Sequence, residues 1–126
     1  MHEKRIEIRW RDLDAFGHVN NAVYLTYLEE VRDEWLDRTL GSAWDYVLAR
    51  VAIDYRRELT QADDEVVARC RLGRVGTSSL TTREELFAGD ELAAEAEAVL
   101  VAFDREAGRS RPLRDGELAT LEAALP

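Results

Sequence analysis

One long stretch of this chain repeats its apolar residues at helical spacing, while most of the remainder repeats them every second residue. Tyr24, Leu28, Val31 and Trp35 recur at intervals of three and four, the stripe of an amphipathic helix. Asn20 or Asn21 suits its N-cap, because an Asn side-chain oxygen accepts from a free first-turn N–H, and Gly41 ends the pattern. Glu29, Glu30, Arg32, Asp33 and Glu34 are expected on the solvent face. Ahead of the helix, Ile6, Ile8 and Trp10 alternate with Arg5, Glu7 and Arg9, the period of a half-buried strand. Behind it, Val47, Val51, Ile53 and Tyr55 oppose Arg50, Asp54 and Arg56 in a second strand. Val66, Ala68, Cys70 and Leu72 mark a third, and Leu80, Thr82, Glu84 and Leu86 a fourth. Gly73 and Gly76 punctuate these strands with a bend, and Ala88-Gly89-Asp90 with a turn. ELAAEAEA, residues 91–98, is drawn towards helix by Ala and Glu and towards strand by the VLVAF that follows; the reading is a fifth strand. GRSRP at 108–112 breaks it, and Leu118, Leu121 and Leu125 fit a short terminal helix.

One strand, one long helix and four further strands describe an α+β domain, an antiparallel sheet burying the helix's apolar stripe. At 126 residues the expectation is a single domain spanning 1–126. Such a sheet leaves edges and faces uncovered, so self-association, a dimer at least, is expected. No apolar run approaches the roughly 20 residues that cross a bilayer and MHEKRIEIRW has no signal-peptide core, which points to the cytoplasm. A net charge of −9 disfavours nucleic acid or an anionic membrane as partner. The arginines at 69, 71 and 74 and those from 105 to 114 could still hold one anionic ligand. With one cysteine and two histidines, neither an internal disulfide nor a metal centre is expected, and Cys70 reads as a small core residue.

The densest polar constellation is Asp12, Asp14, His18, Asn20 and Asn21, immediately before the helix. Free N–H groups and the positive end of the helix dipole face that loop. They could stabilise an oxyanion while a carboxylate attacks or activates water, which are the needs of acyl transfer. On spacing alone Asp14 reads first as a loop or capping aspartate and His18 as a structural histidine, with Tyr24, Tyr27 and Trp35 as core. Ser78 and Ser79 could meet a phosphate or an amide, or simply shape a turn. There is no G-x-S-x-G, P-loop, G-x-G-x-x-G or H-E-x-x-H motif, and carboxylate chemistry is the enzyme reading that remains.

The segment RWRDLDAFGHVNNAVYLTYLEEVRDEWL resembles the 4-hydroxybenzoyl-CoA thioesterase-like branch of the hotdog superfamily, in which a D-x-D-x-x-G-like loop follows the first strand and precedes an aromatic-rich helix. Here the pattern falls on Asp12, Asp14, Gly17 and the helix beginning near Asn21. The resemblance implies a hotdog fold, a five-stranded antiparallel sheet wrapped around one long helix, with 91–103 as a strand. It implies hydrolysis of an acyl-CoA thioester without a cofactor, Asp14 acting as nucleophile or general base and a backbone N–H near Asn21 polarising the carbonyl. It further implies sites at a subunit interface in a homotetramer built as a dimer of dimers. Arg74, Ser78, Ser79 and Arg109 are then the candidates for the CoA end, the strands around Val51 and Gly76 for the pantetheine, and Tyr24 for a substrate contact. His18-Val19-Asn20-Asn21 departs from the founding enzyme, whose aromatic acyl specificity is not transferred; His18 or Asn20 would orient water or substrate. Two other activities stay open on the same fold: an acyl-thioester or apolar-ligand binder without turnover, and a dehydratase or hydratase with His18 as acid–base residue.

Overall fold

In the computed structural model, which describes residues 1–42 and 44–126, these periods become β1 (His2–Glu7), α1 (Asn21–Leu40), β2 (Tyr46–Tyr55), β3 (Glu65–Val75), β4 (Ser79–Ala88), β5 (Glu91–Asp104), the short β6 (Arg109–Ser110) and α2 (Asp115–Ala124). The strands run in the order β1-β3-β4-β5-β2, with β6 folded back on β5, and every pairing is antiparallel. The sheet curls around α1, giving the hotdog architecture. β6 adds a sixth strand to the five expected.

Asn20 caps α1, its Oδ1 accepting the Ala22 N–H at 2.9 Å, and Gly41 closes the helix at φ 93° with its N–H on the Asp37 carbonyl. A residue with a side chain would be strained at that φ. Tyr24, Tyr27, Leu28, Val31, Trp35 and Leu36 are buried against the sheet. The stretch that propensity left ambiguous is strand because of what it faces. Ala94, Ala98 and Ala102 are wholly buried on β5, leaving room for the helix's large side chains, while Glu95 and Glu97 reach arginines on the outer face. Packing overrides the helical preference of Ala and Glu.

Three expectations are corrected. Trp10 is no inward strand residue: β1 ends at Glu7, Trp10 opens a 3-10 turn over Trp10–Asp12, and its ring is 82% exposed. Val47 does not share a face with Val51, because a bulge at Ala49 shifts the β2–β5 register between Leu48 and Arg50 and inverts the alternation ahead of it. Arg32 is not on the solvent face but 2% exposed. Its Nε and Nη2 donate to Glu84 at 2.8 and 3.1 Å, and Thr82 Oγ1 donates to the same carboxylate at 2.6 Å. An inward glutamate on β4 draws the arginine off the helix surface and into the core.

Candidate active site

The loop from Leu13 to Asn20 is a tight, cross-braced turn. Leu13 bridges Val19, the Asp14 N–H donates to the His18 carbonyl at 2.7 Å, and Gly17, at φ 82°, returns its N–H to the Asp14 carbonyl at 3.1 Å. Asp14 Oδ1 accepts the N–H groups of Phe16 at 2.8 Å and His18 at 3.3 Å. This is the Asx-turn role that spacing alone suggests, and it uses one oxygen. Oδ2 has no hydrogen-bond partner among the described residues, and the side chain is half-buried.

Asp12 does a different job. It is buried, and its Oδ2 accepts the Tyr27 hydroxyl at 2.6 Å and the Arg9 N–H at 3.0 Å, while its carbonyl accepts the Asn20 N–H. The loop is thereby pinned to the second turn of α1. Burial, and then the Asp12 carboxylate, push the Tyr27 hydroxyl well above its ordinary range, so it stays a donor at any physiological pH.

At the helix start, the Ala22 N–H goes to the Asn20 side chain and the Val23 N–H to the Asn20 carbonyl at 2.8 Å. The Asn21 N–H has no protein partner among the described residues, and Asn20 and Asn21 are exposed. The structure therefore sets Asp14, His18, Asn20 and Asn21 around one loop-to-helix junction. Tyr24 is close by but 2% exposed. Its hydroxyl donates to the Arg57 carbonyl and accepts the Leu59 N–H, both at 2.9 Å, so it fastens α1 to the segment after β2 and has little surface for a ligand. Tyr55, at the end of β2, donates to the Asn21 carbonyl at 2.8 Å.

The residue that sequence reasoning misses is Glu58. Val19 N–H donates to the Leu59 carbonyl and His18 bridges Thr60, which brings Glu58 Oε2 to 3.2 Å from His18 Nε2. No local pattern announces it, because the pairing crosses from the loop before α1 to the segment after β2.

The remaining candidates lie elsewhere. Val51 is half-buried in mid-β2 beside α1. Arg74, Gly76, Ser78, Ser79 and Arg109 gather at the opposite end of the sheet. β3 starts beside Glu7, next to the loop, and Arg74 lies nine residues further on, about 30 Å along the strand. There the Gly76 N–H closes a turn on the Ser79 carbonyl at 2.7 Å, so tightly that a Cβ on Gly76 would stand 2.9 Å from Ser79 Oγ. Arg105 pairs with Asp45 and Arg111 with Glu117, whereas Arg74 and Arg109 are exposed and make no ion pair among the described residues. One protomer does not bring this group to Asp14. Among the described residues no three His, Cys, Asp or Glu side chains converge to hold a metal ion, and no helix is long and apolar enough to cross a membrane.

Comparison with known proteins gives this geometry a context. The family model described as the thioesterase-like superfamily matches residues 8–121. A thioesterase from Thermus thermophilus, solved in complex with coenzyme A and zinc, is 35% identical with a TM-score of 0.87, the match covering 98% of this chain and 92% of that one. A predicted thioesterase from Bacillus stearothermophilus is 25% identical with a TM-score of 0.91, over 99% and 96%. The long-chain acyl-CoA thioesterase FadM of Escherichia coli K12 is 34% identical over 67 residues, 48% of this chain and about half, 51%, of that enzyme's length.

Proposed function

The chain belongs to the thioesterase-like superfamily, and from that premise we propose that it hydrolyses an acyl-CoA thioester to the free acid and CoA. The observation that carries the reading is the half-satisfied carboxylate of Asp14. One oxygen is fixed by the Phe16 and His18 N–H groups and the other is left free, in the loop that leads into the unpaired Asn21 N–H at the start of α1. A carboxylate held this way can bind a water molecule and act as general base.

In the proposed reaction Asp14 takes a proton from water as the water oxygen bonds to the thioester carbon. The carbonyl oxygen gains the electron pair and accepts from the Asn21 N–H, reinforced by the helix dipole. Collapse of that intermediate breaks the C–S bond, and the proton held by Asp14 passes to the departing sulfur. His18, steadied by Glu58, orients the water or the substrate. Asn20 contributes by fixing the first turn as its cap.

The far-end group of Arg74, Gly76, Ser78, Ser79 and Arg109 holds the CoA portion in this reading, and it reaches Asp14 only from a second copy. β2 is an edge strand that exposes Val47, Leu48 and Tyr55. Antiparallel association of two such edges about a two-fold axis sets the far end of one protomer against the Asp14 end of the other.

The test is thiol release from a panel of acyl-CoAs by the wild type and Asp14→Asn. The amide keeps the shape and the Oδ1 acceptor but cannot take the proton. A loss of about a hundredfold or more in kcat with the fold retained supports the assignment. Full activity in the variant removes Asp14 from the mechanism. Ligand binding without thiol release would replace the hydrolase reading with a binding protein.

A further inference from the structure

The N–H groups of Asn20, Asn21, Ala22 and Val23 open α1 and have no partner four residues back. Asn20 donates to the Asp12 carbonyl at 2.9 Å and Val23 to the Asn20 carbonyl at 2.8 Å, and Ala22 donates to Asn20 Oδ1 at 2.9 Å. The Asn21 N–H is left over among the described residues. It is the donor that meets the carbonyl oxygen in the proposed reaction.

Such a donor works by direction, because it has to point at the place where the oxyanion will stand. Packing does not set that direction here. Asn21 and Ala22 are exposed, and the first buried side chain of α1 is that of Tyr24. Uncovered helix ends fray. Asn20, held by its own bonds, fixes the N-terminal side of Asn21. On the C-terminal side stands Tyr55, the last residue of β2, whose hydroxyl donates to the Asn21 carbonyl at 2.8 Å.

That bond is not required to satisfy the carbonyl, since a first-turn carbonyl already receives the N–H four residues further on. What it adds is a fixed point. Tyr55 pairs with Ala94 of β5, and the neighbouring Arg56 N–H donates to the Ala93 carbonyl at 2.8 Å. The Tyr55 ring meets that of Tyr24 edge-on, with centroids 5.0 Å apart at 73°, and the Tyr24 hydroxyl is itself tied to Arg57 and Leu59. A side chain held by the sheet thus reaches the helix residue whose N–H is left over.

We propose that Tyr55 is a positioning residue for the thioester carbonyl: its hydroxyl holds Asn21 so that the Asn21 N–H meets the developing oxyanion. The proposal rests on the hydrolase reading above and adds a residue that does not itself touch the reacting atoms. Removing an oxyanion donor outright costs about 100- to 1,000-fold in kcat. Losing its strap leaves the donor present and less well aimed, so the expected loss is about tenfold.

The experiment measures kcat and KM of Tyr55→Phe with the acyl-CoA that the wild type turns over fastest, with folding followed by circular dichroism. Phe keeps the ring against Tyr24, and the lost hydroxyl lies on an exposed side chain, so the fold is retained. In parallel, infrared difference spectra record the stretch of the isotopically labelled thioester carbonyl bound to Asp14→Asn and to Asp14→Asn/Tyr55→Phe. The expected result is a fall in kcat of about tenfold with KM within about threefold, and a carbonyl stretch at higher frequency in the double variant. An unchanged kcat in Tyr55→Phe, where Asp14→Asn is impaired, overturns this proposal and leaves the hydrolase reading standing. A raised KM at unchanged kcat overturns it as well, since Tyr55 would then contact the substrate. So does a lowered kcat with an unmoved carbonyl stretch, because the loss would arise away from the carbonyl. Absence of turnover with every thioester overturns the hydrolase reading and this proposal with it.

Discussion

Asp12 and Asp14 stand two positions apart in the same loop and meet opposite environments. The first is buried beneath Tyr27, while the second keeps one oxygen open. Their substitutions should separate accordingly. Asp12→Ala strands the Tyr27 hydroxyl in the core and is expected to cost about 1–3 kcal/mol of stability, read from urea unfolding. Asp14→Asn should change stability by less than about 1 kcal/mol, with its loss falling on kcat. An Asp12→Ala protein as stable as wild type would remove the anchoring role. The sequence displays the carboxylate loop openly, since its polar residues are contiguous and precede a cap signal. It does not say which aspartate is open, because that depends on Tyr27 packing over one of them. Glu58 and the Arg32–Glu84 pair were illegible for the same reason: their partners come from distant elements, and a charged residue on a helix stripe reads as surface until the sheet's own charge is placed beneath it.

At the scale of elements, one helix and four of the main strands are readable from period alone, the strand at 91–103 needs the VLVAF that ends it and the family resemblance, and the misreadings occur where the period is interrupted. The bulge at Ala49 hides in a run of apolar residues where either phase of the alternation looks plausible. The terminal helix was legible from its leucines, of which Leu121 is wholly buried, but its anchor was not. Arg111 donates twice to Glu117, at 2.8 and 2.9 Å, and Trp44 Nε1 and the Arg114 N–H add further bonds. The Arg111 guanidinium above all, working against burial, brings the Glu117 carboxyl down to about 2 from its ordinary 4.5. Because the folded value lies below the unfolded one, the stabilisation is complete above about pH 4.5 and is lost as the pH falls towards 2, by an amount on the order of 2–3 kcal/mol. Thermal melts should show Glu117→Gln less stable than wild type at pH 6, with the gap closing between about pH 4.5 and 2. A gap that stays constant through that window would mean that Glu117 is not held by its charge.

The molecule as a whole keeps the Asp14 junction at one end of the sheet and the free arginines Arg74 and Arg109 at the other, about 30 Å apart along β3. The two-chain site proposed above would be repairable by mixing. Asp14→Asn and Arg74→Ala/Arg109→Ala chains would each be nearly inactive alone. A hybrid pair, however, contains one site with both defects and one with neither. Random reassortment makes half of the dimers hybrid, so unfolding and refolding the two dead proteins together should restore about a quarter of wild-type activity, as two-fold symmetry requires. Were each chain to carry a complete site of its own, the mixture would stay as inactive as its parents. On the proposed two-chain site the distance between those ends has a genetic meaning: two different loss-of-function alleles of this gene would complement one another within a single protein assembly.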